Sequence, residues 1–287
     1  MSSSWPQRVA VALLLLGLAF IMPAKAGAQP PVYVTQWGSL GSGNGQFGFP
    51  IGVATDAAGD VYVADQQNHR IQKFTGTGTY LTQWGSLGSG PGEFSNPFGV
   101  ATDAAGNVYV TDQGNDRIQK FTGTGTYLTQ WGSHGNGDGQ FEDPNGLATD
   151  AAGNVYVADS NIAIIDGFHN NRIQKFTSTG TYLTQWGGGP GGFNGPTGVA
   201  TDAAGDVYVT DQFNDRIQKF TGAGTYLTQW GSAGSGDGQF AFPSGVATNA
   251  DGNVYVADFA NHRIQKFGPA KTPTNTTSWG RIKSLYR

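Results

Sequence analysis

Carboxylates recur along this chain at two fixed places. Asp65, Asp112, Asp159, Asp211 and Asp258 each end a VYVAD or VYVTD run, while Asp56, Asp103, Asp150 and Asp202, with Asn249 as the fifth, follow a GVAT or GLAT run. Such rings could hold cations or exchange protons. Acid–base catalysis, however, needs two carboxyls whose surroundings push their pKa values apart, and these stand in copies of one setting. Forming turns suits them better, because Asp accepts hydrogen bonds from the backbone just downstream. The histidines are His69, His134, His169 and His262. His69 and His262 share an NHR slot, and with a carboxylate they could make a zinc site; calcium would instead choose the carboxylates. Other copies fill that slot with Asp116, Asn171 and Asp215, so the expectation is a protein without a cofactor. Arg70, Arg117, Arg172, Arg216 and Arg263 recur after the slot, and each is expected to pair with an Asp at small gain in stability. No HExxH, GxSxG, P-loop lysine or EF-hand loop occurs. Enzymatic activity is therefore not expected.

One stretch breaks the pattern. In DSNIAIIDGFHNNR, Asp159 and Arg172 stand 13 residues apart, against 5 for Asp65 and Arg70. The linker that follows, GGGPGGFNGP, is shorter than its counterparts. Binding groups are commonly carried on loops of a rigid scaffold. An apolar knob built from Ile162, Ile164, Ile165 and Phe168, with Asp166 and His169 beside it, is the expected binding site.

The elements that position these residues follow from repetition. Units start at Ile51, Phe98, Asn145, Thr197 and Ser244, with spacings of 47, 47, 52 and 47 residues. Periods of this size mark arrays, and short β-branched and aromatic runs broken by glycine read as strands. In the first unit these are Gly52 to Thr55, Val61 to Ala64, Arg70 to Phe74 and Tyr80 to Trp84, joined by DAAGD and TGTGT turns. A VYV strand is apolar on both faces, so each sheet needs a neighbour on each side. Radial stacking supplies that neighbour. The predicted fold is all-β: a β-propeller of five four-stranded antiparallel blades.

VYVTQWGSLGSGNGQFGFP, from Val32 to Pro50, matches the end of a unit, and the last unit stops at Phe267 without a fourth strand. The strand around Tyr33 to Trp37 is expected to complete that last blade and close the ring. Thr276–Gly280, TTSWG, is the weaker rival. Residues 1–28 carry Arg8, an apolar run from Val9 to Ile21 and small residues at Ala24, Ala26 and Ala28, the layout of an export signal. That run falls short of the roughly 20 residues a spanning helix needs, so no membrane span is expected in the mature chain. Expected domains are the signal at 1–28, the propeller at 29–268 and a Pro/Thr linker with a basic tail at 269–287.

Cysteine is absent, which rules out a disulfide framework and a thiol nucleophile. The formal charge of −4 argues against a nucleic-acid partner, since that affinity rests on neutralising phosphates.

GVATDAAGDVYVADQQNHRIQKF, at Gly52 to Phe74, resembles the NHL repeat: a GVA strand, a glycine turn, a VYVAD strand, an Asn, then a hydrophobic strand. The resemblance implies a propeller, typically of six blades, that serves as a platform for proteins or RNA. It also includes an amidating lyase that uses metal-binding histidines. For this chain the expectation is a monomeric, secreted or periplasmic platform for a protein or glycan at the cell envelope. A metal-dependent lyase or hydrolase at the channel mouth is the alternative.

Overall fold

The computed structural model describes residues 34–160 and 170–268. The first blade consists of Pro50–Thr55, Val61–Asp65, Arg70–Phe74 and Tyr80–Trp84, an antiparallel sheet in chain order. Its first turn is made by Asp56, whose Oδ1 accepts the Ala58 and Asp60 amides, both at 3.0 Å, and whose Oδ2 accepts the Tyr62 hydroxyl at 2.8 Å. Gly59 closes that turn at φ 84°, a conformation that a Cβ would strain. Between the second and third strands a 3-10 turn, Gln66–Asn68, ends on left-handed His69.

The same sheet recurs from Pro97 to Trp131, from Pro144 to Trp186 and from Pro196 to Trp230, and its first three strands recur from Pro243 to Phe267. The chain is thus a five-bladed β-propeller, all-β, one blade short of the six that the NHL resemblance implies. First strands line the centre and pack in succession, blade one on two through to four on five. Thr102, Thr149, Thr201 and Thr248 each donate their hydroxyl to the carbonyl of the matching threonine one blade earlier, at 2.7–2.8 Å. Glycine at the third position of this strand lets the backbones approach, for a Cβ on Gly99 would lie 2.8 Å from the Asn145 carbonyl oxygen. Farther out, Trp84 packs on Phe121 of the next blade with ring centroids 5.7 Å apart, and Trp131, Trp186 and Trp230 repeat this on Phe176, Phe220 and Phe267.

Arginine does more than form surface pairs. Arg117 is buried and spends all five guanidinium protons: Nε on Asp112 Oδ2 at 2.7 Å, Nη1 on Ser89 O and Gln130 Oε1, Nη2 on Gly90 O and Glu93 O. Asp112, fully buried, also accepts from Asn115, Gln119 and the Ser95 amide. The expectation of pairs with small effect is corrected. Each pair is a hub that bolts the incoming linker to its blade, built on a fully buried Asp, with the arginine buried in the first three blades and partly exposed at Arg216 and Arg263.

The expected closing strand is not formed among the described residues. Tyr33 and Thr276–Gly280 lie outside them, Val34 and Thr35 are in no strand, and neither are Gln36 and Trp37. Trp37 instead sits on Phe74 at 5.8 Å, the place on blade one that Trp84 takes on blade two. On the facing side, Gly245 meets only Ala257 of its own blade. The seam between blades five and one therefore leaves Val53 67% exposed, against 6% for Val100, and Ile264 67% exposed, against 0% for Ile118.

Two measurements check this packing. Arg117→Ala should lower unfolding free energy by about 3–5 kcal/mol in a denaturant titration, because it strands a buried carboxylate. Gly99→Ala should cost about 1–3 kcal/mol through overpacking, whereas Gly245→Ala should cost under about 1 kcal/mol; equal losses would mean that a strand abuts Gly245 in solution.

Candidate functional site: the linker-and-turn face

Linkers between blades and turns between second and third strands lie on one face, tied together by backbone hydrogen bonds. Gly114 donates to Ser95 O at 2.8 Å, Phe213 to Asn194 O at 3.0 Å and Ala260 to Ala241 O at 3.0 Å. A central cavity of about 550 Å³ is lined by the second residues of the five first strands, Ile51, Phe98, Asn145, Thr197 and Ser244, with Gln113, Gln212 and Phe259 from the turns. No lining side chain is charged. Valines and Leu147 make the inner wall.

Apart from the longer turn after Asp159, near-identical units differ on this face, and the positions that line the cavity are among those that vary. The strand that carries the position otherwise reads P-x-GVAT or P-x-GLAT in every blade, yet x is Ile, Phe, Asn, Thr and Ser in turn. Sequence reasoning passed over this position; comparing the copies with each other, column by column, would have found it. The result is an asymmetric wall, apolar at Ile51, Phe98 and Phe259 and polar at Asn145, Thr197 and Ser244. Asn145 is buried, donating to Ser160 O at 3.1 Å and accepting from Gln113 Nε2 at 3.0 Å. Thr197 donates to Gly195 O at 3.1 Å. Gln113 Oε1 and Gln212 Nε2 have no hydrogen-bond partner among the described residues.

The rim is set by the residue before each blade's first proline: Phe49, Asn96, Asp143, Gly195 and Phe242, all at positive φ. In the last four its backbone N–H is capped by the preceding blade's slot residue. Asn96 donates to His69 Nδ1 at 3.2 Å, Asp143 to Asp116 Oδ1 at 3.0 Å, Gly195 to Asn171 Oδ1 at 2.9 Å and Phe242 to Asp215 Oδ1 at 2.9 Å. His69, a candidate zinc ligand by sequence, is thus an acceptor that joins two blades. His262 fills the same slot at the seam and is exposed there. Among the described residues no three His, Cys, Asp or Glu side chains gather as a metal site, and no helix is long and apolar enough to cross a membrane.

Aromatic and acidic rim residues segregate. Phe213 and Phe242 meet edge to face at 5.8 Å, and Phe49 and Phe259 are exposed. On the other side, His134 Nδ1 lies 3.1 Å from Asp116 Oδ2. Asp143, beside them, makes no hydrogen bond or ion pair through its carboxylate among the described residues. Burial, with the charges of Asp116 and Glu142, pushes its pKa up, against a weaker downward pull from His134.

The knob expected from Ile162, Ile164, Ile165, Asp166, Phe168 and His169 lies outside the described residues. Its two ends hold the common frame. Arg172 Nε reaches Asp159 Oδ2 at 2.8 Å despite the longer spacing, and Asn170 takes the part played elsewhere by Asn115, donating to Asp159 and to Gly135 O.

Comparison with known proteins gives a family model described as NHL repeat, which matches residues 47–74, 94–121, 193–220 and 240–267. The unit with the longer turn is not among these. Two relatives are B-box type zinc finger protein ncl-1 of Caenorhabditis elegans, 46% identical over 50 residues, and Protein brain tumor of Drosophila melanogaster, 44% identical over 62. The matches cover 17% and 21% of this chain and only 6% of each relative. Among solved structures, a streptogramin B lyase aligns with a TM-score of 0.55 at 17% identity over 78% of this chain and 70% of that one. A nidogen/laminin complex aligns at 0.54 and 21% identity, over 77% and 80%. At these identities the likeness is one of fold.

The other carboxylate ring stabilises turns. Burial alone would raise the pKa of Asp56, Asp103, Asp150 and Asp202, but hydrogen bonds from the tyrosine hydroxyls and nearby amides, with the lysine charges, hold each below the ordinary value of 3.8. A depressed folded-state pKa gives stability that is present above the unfolded value and lost as pH falls through the folded one. Melting temperature should therefore drop as pH goes from about 5 to about 2. Asp103→Asn should flatten that drop.

Proposed function

Because the chain belongs to the NHL-repeat β-propellers, we propose that it is an exported, non-catalytic platform that holds a protein partner on its linker-and-turn face. One observation carries this reading: copies that otherwise repeat nearly word for word are individualised at the positions that line the cavity and its rim. Repetition is what packing needs, since each blade buries the next. Individual residues at one face serve recognition, for which rigid scaffolds with varied loops are suited. The layout of residues 1–28 supports export, to the periplasm or outside the cell, and the propeller is proposed to act as a monomer. A glycan is the other partner class. The cavity disfavours it, since aliphatic and aromatic side chains make much of its wall.

A photo-crosslinking amino acid placed at Phe213, on this face, should capture a discrete partner from the native envelope. At Thr124, in a turn on the opposite face, it should not. Capture from Thr124 alone would overturn the assignment. Purified protein should contain no stoichiometric zinc; zinc lost in a His69→Ala, His262→Ala double variant would establish the enzyme alternative instead. N-terminal sequencing of the exported protein should begin near Gly27 or Gln29.

A further inference from the structure

The chemistry of the cavity and rim narrows the partner, given the platform reading on which this rests. No charge lines the cavity, its inner wall is aliphatic, and Phe98 and Ile51 extend that surface to the mouth. An uncharged, apolar group fits there, and a charged one would lose its hydration without compensation. The volume suits one large side chain with part of its backbone, and Gln113 Oε1 and Gln212 Nε2, unpartnered among the described residues, offer an acceptor and a donor to one peptide group. At the rim, two residues before Asn145, Asp143 carries a carboxylate that has no hydrogen-bonding or ion-pairing partner among the described residues, set beside Asp116. A cation brought to that place relieves the repulsion. Around the other side, Phe213, Phe242 and Phe259 supply an apolar track along which an extended chain can lie.

We propose that the cavity receives an aromatic or large aliphatic side chain from an extended segment of the partner, and that a lysine or arginine close to it in sequence meets Asp143. Recognition is therefore of a basic–apolar peptide. Neutral contact inside the cavity sets affinity, and the rim charge sets which neighbours are accepted.

The repeats themselves supply variants that should fold. Ser244→Phe places in the fifth blade the residue that blade two carries at the same position as Phe98, and fills the cavity. Asp143→Asn copies Asn96 at the equivalent rim position. Selection of a random heptapeptide phage library on the immobilised full chain should enrich sequences with Lys or Arg within three positions of Phe, Trp or Leu. Binding of a synthetic peptide from that pool, measured by calorimetry, should fall more than about tenfold with Ser244→Phe. With Asp143→Asn it should fall about two- to fivefold, and only for the basic peptide, not for its Lys→Gln version. Failure to enrich any peptide, enrichment without the basic–apolar pattern, or binding untouched by Ser244→Phe would each overturn the inference. So would binding of a neutral glycan that Ser244→Phe abolishes. Partner capture from Phe213 that persists in Ser244→Phe separates the two levels: the platform would stand and the cavity would not be its grip.

Discussion

A buried carboxylate that answers one arginine in every blade is the contact on which the rest is hung. Asp112 carries no exposure, and Arg117 next to it has no proton left to give. Two of the arginine's groups are spent on linker carbonyls, so the pair holds not only its own sheet but also the chain arriving from the blade before. Burying an ion pair is costly unless every valence is met, and here every one is met by linker and strand atoms. The rigidity of the linker-and-turn face follows from this. Side chains on that face can vary because the backbone beneath them is bolted.

Packing between blades follows a second rule, which is close approach. Glycine in the first strand, threonine handing its hydroxyl to the previous blade and tryptophan lying on the next blade's phenylalanine recur at the four formed interfaces. Between blades five and one the same halves exist, Gly245 and Thr248 on one side and Thr55 on the other, without being joined. Trp37 already occupies its place on Phe74. Trp37 thus gives the first blade the contact that a preceding blade's tryptophan makes elsewhere, while the fifth shows three strands among the described residues.

The strands were legible because glycine turns and VYV runs leave little choice: Arg70–Phe74 and Tyr80–Trp84 fall where the sequence places them, and Asp56 forms the turn its type suggests. The arginine pairs were misjudged, since nothing in the order of residues says that Arg117 lies under a linker that ends more than 20 positions earlier. The part that His69 plays was hidden for a similar reason. Its ring accepts an amide from the next blade, a contact 27 residues away along the chain.

What the sequence alone determined was the repeating sheet, the number of blades and the turns, because these depend on contacts within a few residues and on apolar faces that must be covered. Only the tertiary structure decided which residues share the cavity mouth, that Asn145, Gln113 and Asp143 lie on one rim, and that no strand among the described residues fills the seam. Those facts depend on the angle at which one blade meets the next, and that angle is a sum of side-chain contacts between distant copies.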